Sequence, residues 1–249
     1  MTERSADLAP LANEVISVLR ERQTVTTAGA RQVVVDYLVR AVAVKATYDP
    51  VLVLDELRGY RLTLDAIIDL YIPQAARRLG DMWMTSDIDF AGVTVGSLRL
   101  QALLGEASMG LRQCQPAGGG ATFHALVVVP EQEQHFLGAA VVGAQLRRLG
   151  CEVSLAISET PKQVLARVVC DVPDMVLFSC ARVPALETAK RTVKQIKSSV
   201  DPVPVLAMGG ALRGKAEAIK EQTGVDLVTN TATDVLSFCT KRRKALGLG

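Results

Sequence analysis

At 249 residues, 49% of them hydrophobic and 22% charged, the chain is long enough for two ordinary domains with packed cores. Lys and Arg number 28 against 26 Asp and Glu, and both halves stay near neutral (12 basic and 14 acidic residues in 1–121, 16 and 12 beyond), which argues against strong direct nucleic-acid binding. Five cysteines without a CxxC pair suggest neither a disulfide framework nor a zinc site, and the opening MTERSADLAP lacks the apolar core of a signal peptide. No apolar run reaches the ~18 residues of a membrane span, so a cytoplasmic address with no membrane partner is expected.

The first half reads as helices. Leu8–Arg20 carries Leu11, Val15, Ile16 and Leu19 at helical spacing, and Ala28–Lys45 repeats the pattern with Val33, Val34, Tyr37, Leu38, Ala41 and Val42. Pro50–Leu57 is a short helix candidate closed near Gly59. Leu62–Leu79 is a longer one in which Pro73 predicts a break or kink, and Phe90–Leu111 completes a small antiparallel bundle over residues 1–115. Gln115-Pro116-Ala117-Gly118-Gly119-Gly120 reads as a linker.

From residue 121 to 249 strands and helices alternate. The β-branched run Phe123–Val129 predicts a strand buried on both faces, followed by a helix over Leu137–Leu149. Strands are expected at Cys151–Ala156, Met175–Phe178, Pro204–Met208 and Asp226–Val228. Helices are expected at Pro161–Val169, Ala185–Ser198, Lys215–Gln222 and from Thr233 onward. The fold class is therefore α/β: an N-terminal helical bundle followed by a flavodoxin- or Rossmann-like five-stranded parallel sheet. Ligands on such sheets bind beyond the carboxyl ends of the strands.

Chemistry-bearing residues gather at those ends. The loop after the first strand contains Glu133-x-His135-x-x-Gly138, with one of only two histidines in the chain. Neutral imidazole is a good ligand for cobalt or iron, and a carboxylate two residues away can fix its tautomer. The third strand ends in Ser179-Cys180-Ala181 and the fourth in Gly209-Gly210, which removes side chains where a bulky ligand must pass.

The pattern resembles the cobalamin-binding domain of methionine synthase and its relatives, Asp-x-His-x-x-Gly, then Ser-x-Leu, then Gly-Gly. Here forty residues separate Gly138 from Ser179, and twenty-seven separate Ala181 from Gly209. The resemblance implies cobalamin (hydroxo- or adenosylcobalamin) with His135 as the axial cobalt ligand in place of the cofactor's own base. Leu137, Gly138, Ser179, Cys180, Ala181, Gly209, Gly210 and Asn230 would then surround the corrin and the displaced nucleotide tail. Glu133 stands where Asp is usual, and Ala181 where Leu or Thr is usual. Leu79-Gly80-Asp81-Met82-Trp83 is similar to the cap segment of CarH-type light-sensing repressors, which implies that Trp83 covers the upper face. The Glu-His pair that follows in that family is Val93-Thr94 here.

The whole chain looks most similar to the PpaA/AerR antirepressors of purple photosynthetic bacteria. This implies a non-enzymatic, light- or redox-responsive regulator acting on a PpsR/CrtJ-type repressor of photosynthesis genes. Two alternatives stay open: a haem-binding redox sensor, since His135 alone does not choose between iron and cobalt, and a corrinoid carrier in methyl transfer. His124 reads as a core or strand-edge residue, Cys180 as a small buried filler, and Lys241-Arg242-Arg243-Lys244 as cations complementing a helix C-terminus. For Glu133→Gln the expectation is a milder loss of cofactor affinity than for His135→Ala.

Overall fold

The computed structural model describes residues 29–114, 123–212, 214–245 and 247. The helix expected over Leu8–Arg20 and the linker expected over 115–120 lie outside the described residues. The chain divides into two units, Met1–Cys114 and Gln115–Gly249.

In the first unit, α1 spans Gln32–Ala43 and α2 Pro50–Gly59, the latter opened by Pro50 and by Asp49, whose carboxylate accepts from the Val51 N–H. α3 (Leu64–Ala66) passes into a π-helical turn at Ile67–Tyr71 and then into α4 (Ile72–Met84). The break or kink expected at Pro73 takes the form of a widening. Pro73 has no N–H, and its ring would crowd the carbonyl four residues back. The preceding residue, Ile72, instead donates to the Ile67 carbonyl, five residues back. The helix then continues to Met84, past the expected end at Leu79. α5 is a 25-residue helix, Phe90–Cys114. Leu38 and Val42 of α1, Leu57 of α2, Ile68, Ile72 and Leu79 of the α3–α4 run, and Leu100 and Leu103 of α5 are fully buried.

The second unit alternates strictly: β1 Phe123–Pro130, α6 Phe136–Arg148, β2 Cys151–Glu159, α7 Pro161–Asp171, β3 Met175–Ser179, α8 Val183–Ser199, β4 Val205–Gly209, α9 Ala216–Thr223, β5 Leu227–Val228 and α10 Ala232–Ala245. All strand pairs are parallel, in the order β2-β1-β3-β4-β5. The two-residue period sorts the core into two layers. Leu126, Val128, Val176, Phe178, Leu206 and Met208 face α7, α8 and α9, packing on Val164, Ala189, Val193 and Ile219. Ala125, Val127, Val129, Met175, Leu177 and Ala207 face α6 and α10, packing on Ala139, Leu146, Val235 and Cys239.

The chain leaves β1 toward β2 on one side and later returns to lay β3 on the other. The carboxyl ends of β1 and β3 therefore flank the topological switch point, where open α/β sheets bind ligands. His124 sits at the opposite end. Its N–H donates to the Asp174 carboxylate at 2.7 Å and its ring lies 3.2 Å from Ser154 Oγ. The basic C-terminal run is also structural in part. Arg242 binds the Asp226 carboxylate and the Val203 carbonyl, and the Arg243 guanidinium lies 5.2 Å from the Phe123 ring centre.

Candidate cofactor site at the carboxyl ends of the strands

β1 ends at Pro130, and the chain turns at once, the Glu133 N–H donating to the Pro130 carbonyl at 2.9 Å. The turn aims the Glu133 side chain inward, leaving the residue 2% exposed. A buried carboxylate must be compensated, and this one is. Its Oε1 accepts from the Gln134 and His135 N–H groups at 2.9 and 3.0 Å and lies 2.5 Å from His135 Nδ1. Its Oε2 accepts from the N–H groups of Ala181 (2.6 Å) and Arg182 (3.2 Å) in the loop after β3. Burial pushes the carboxyl pKa up, but the Ala181 N–H, the His135 ring and the remaining backbone donors outweigh it and hold it below the ordinary value. One carboxylate thus spans the switch point and ties the two loops that flank it.

An ionised Glu133 cannot donate, so the proton between it and His135 resides on Nδ1. In the neutral ring the free lone pair is then on Nε2. His135 caps the N-terminus of α6 without any side-chain hydrogen bond to the helix, and its side chain is 66% exposed. The ring is oriented from behind and open in front, as a metal-ligating imidazole must be. Among the described residues no group of three or more His, Cys, Asp or Glu side chains is arranged to hold a metal ion. A lone oriented imidazole suits a metal that brings its other ligands in a macrocycle, so the residues present fit a corrinoid.

The other sequence-derived residues converge on the same end of the sheet. Gly138 is exposed in the first turn of α6, and a Cβ there would lie 3.7 Å from Ser179 Oγ. Leu137 beside it is half-buried. Ser179 pairs with Gly209 across β3 and β4, and the Cys180 N–H donates to the Gly209 carbonyl at 2.9 Å. Asn230, after β5, accepts from the Gly210 N–H at 2.6 Å and donates to the Gly210 carbonyl at 3.3 Å. Cys180 is 1% exposed, and burial, then the Glu133 charge, pushes its thiol up to about 12, so it is inert filler. Trp83 belongs to the other unit, near the end of α4, and is 50% exposed.

The glycine pair has a cause within the protein itself, beside the one its sequence suggested. A Cβ at Gly210 would lie 2.1 Å from the Cys180 carbonyl oxygen, at φ +119°, and one at Gly209 would lie 2.5 Å from that of Thr229. The protein's own backbone, not only a ligand, demands glycine at both positions. Gly210→Ala is accordingly expected to lower the melting temperature of cofactor-free protein by several degrees, and an unchanged melt would show that the β4 loop yields. The exposed Gly138 beside Ser179 is the better place to probe a tail slot.

Two contacts had no sequence motif. The Thr188 hydroxyl, 2% exposed on α8, donates to Gln132 Oε1 at 2.6 Å and pins the loop carrying His135. Thr188 was findable as a polar residue among Ala185, Ala189, Thr192 and Val193 on the buried stripe, but Gln132 carried no signal. The Arg182 N–H, the second donor to Glu133 Oε2, is a backbone group and leaves no trace in residue type.

The family model described as the B12 binding domain matches residues 123–237. The uncharacterized 20.5 kDa protein of the bchF-crtJ intergenic region of Rhodobacter capsulatus is 33% identical over 188 residues, covering 75% of this chain and 96% of that protein. Among solved structures, the monomethylamine corrinoid protein of Methanosarcina barkeri superimposes with a TM-score of 0.67 at 14% identity, covering 84% of this chain and 95% of that one, a likeness of fold. The chain belongs to the PpaA/AerR-type family, with that Rhodobacter protein, and carries a B12 binding domain in its C-terminal half.

Proposed function

We propose that this protein is a non-enzymatic cobalamin-binding regulator that takes hydroxo- or adenosylcobalamin with its own base displaced and acts by binding a repressor protein of the PpsR/CrtJ type. The observation that carries the proposal is the His135 ring, held at Nδ1 by the buried Glu133 carboxylate with Nε2 left for a metal. Cobalt in a bound corrinoid would supply an exchangeable ligand. Gly138, Ser179, Ala181, Gly209 and Gly210 would hold the nucleotide tail. Trp83 would contact the upper face.

No described helix is long and apolar enough to cross a membrane, in keeping with a regulator that works on a protein partner. A ligand shifts an equilibrium only by its differential affinity for the two states. A coupling of about 1–3 kcal/mol changes partner affinity roughly 5- to 150-fold. Repressor affinity measured with and without cobalamin, in dark and in light, is expected to differ by that order for the wild type. Trp83→Ala should keep the His135 ligand and lose most of the difference. Identical wild-type affinity in every state would reduce the protein to a cobalamin binder that does not switch. The same purified protein offered haem tests the redox-sensor reading, and methyl transfer from methylcobalamin to a thiol acceptor tests the carrier reading.

A further inference from the structure

α8 holds the loop carrying His135 at two points. The first is the Glu133 carboxylate, which accepts from the Ala181 and Arg182 N–H groups where the helix begins. The second is the Thr188 hydroxyl, which donates to Gln132 Oε1 at 2.6 Å. Arg182 and Thr188 are six residues apart, about 9 Å along a helix that rises 1.5 Å per residue. A loop fixed at one point can pivot about it. Fixed at two points on one helix, it keeps its bearing.

Thr188 differs from other helical hydroxyls of the chain. Those of Ser97, Ser108, Thr192, Thr223 and Thr240 donate to the carbonyl four residues back, a bond within their own helix. A hydroxyl has one proton to donate, and Thr188 gives it to a residue 56 positions away. Its neighbours on the buried stripe are Ala185, Ala189 and Val193, so packing alone would be met by valine. The hydroxyl is also one link in a chain of bonds that runs in a single direction. Arg191 donates to Thr188 Oγ1 at 3.1 Å, Thr188 donates to Gln132, and Gln132 Nε2 donates to Glu131 Oε1 at 2.8 Å. A cation stands at the donor end and a carboxylate at the acceptor end, so each bond polarises the next. Turning the Gln132 amide over would set its oxygen against the Glu131 carboxylate. The chain therefore admits one orientation of that amide.

We infer that Thr188 is a positioning residue for the His135 imidazole, acting through Gln132 to hold the loop in the setting that a metal meets. The inference rests on the proposed reading of His135 as the cobalt ligand. Thr188→Val keeps the shape of the side chain and removes the hydroxyl, whereas Thr188→Ser keeps the hydroxyl. In cofactor-free protein, backbone amide exchange in a peptide covering residues 131–137 should rise several-fold in Thr188→Val and stay at the wild-type rate in Thr188→Ser. Hydroxocobalamin affinity should fall roughly 10-fold in the Val variant, the lower end of the loss typical for an outer-shell partner, and return in the Ser variant. With the protein saturated in the cobalt(II) cofactor, the nitrogen splitting should lose intensity in Thr188→Val, which a loss of stability alone would not cause. Gln132→Met removes the same bond from the loop side and leaves α8 untouched. It should match Thr188→Val, and the double variant should bind no more weakly than either single one. Wild-type affinity and splitting in both single variants overturn the inference, whatever the exchange rate, and leave His135 as the ligand. A wild type without nitrogen splitting overturns the reading of His135, and this inference with it.

Discussion

His135→Ala is expected to abolish the protein-derived nitrogen ligand to cobalt and to weaken cobalamin binding more than about 100-fold, beyond the 10- to 100-fold typical of losing an outer-shell partner. The absorption spectrum of the added cofactor should stay that of the free form, and the nitrogen splitting in the cobalt(II) paramagnetic spectrum should be absent. The fold should survive. The His135 side chain is largely solvent-exposed and bonds to Glu133, which keeps four backbone donors. One lost hydrogen bond costs about 1 kcal/mol, so the melting temperature should move little. A variant that binds cobalamin with wild-type affinity and spectrum would remove His135 from the site.

Glu133→Gln is expected to do the opposite: to destabilise the domain before any cofactor is added. Both carboxylate oxygens accept backbone N–H groups. Whichever way the amide turns, its NH2 opposes two of those donors in a site that is 2% exposed. Each orphaned buried donor costs about 1–3 kcal/mol, roughly 3 kcal/mol in all and a fall in melting temperature on the order of 10 °C. The milder loss of cofactor affinity expected from the sequence concerns the carboxylate as an orienter of the ring, and this loss of stability comes in addition to it. The pH dependence carries a sign. The folded pKa of Glu133 lies below its ordinary value of 4.5. Its stabilisation is therefore complete above that value and lost as pH falls through the lower folded pKa. The gap between wild type and Glu133→Gln should narrow over that interval. A Gln variant that melts with the wild type at neutral pH would show that the strut between the two loops carries no load.

Much of the fold was written in periodicities. The uninterrupted run Phe123–Val129 could only be a strand covered on both faces, and alternation of such runs with amphipathic helices leaves a parallel sheet as the economical arrangement. His135 and Glu133 were legible because a histidine is rare in this chain and its loop position was set by the strand before it. The depth of Glu133 was not. Polar residues in a turn default to solvent, and only backbone donors arriving from a segment 48 residues away reverse that. The cause of Gly209-Gly210 was hidden likewise, since glycine records that space is scarce without saying which atoms occupy it. The π turn at Ile67–Tyr71 follows from Pro73, yet the sequence offered only a break or kink there, because a proline constrains its neighbours without stating how the helix yields.

That wide turn also bears on how the helix tolerates changes in length. A π turn amounts to one extra residue held within an otherwise α-helical rod. Removing a single residue from Ile67–Tyr71 would close the turn to α-helical width and leave everything after it at the same azimuth. Leu79 would remain against Gly96, and Trp83 would keep its bearing. The same deletion placed within Ile72–Met84 has no slack to consume. It would turn the residues beyond it by about 100°, the angle per residue of an α-helix, carrying Leu79 out of its notch and Trp83 to another side of the rod.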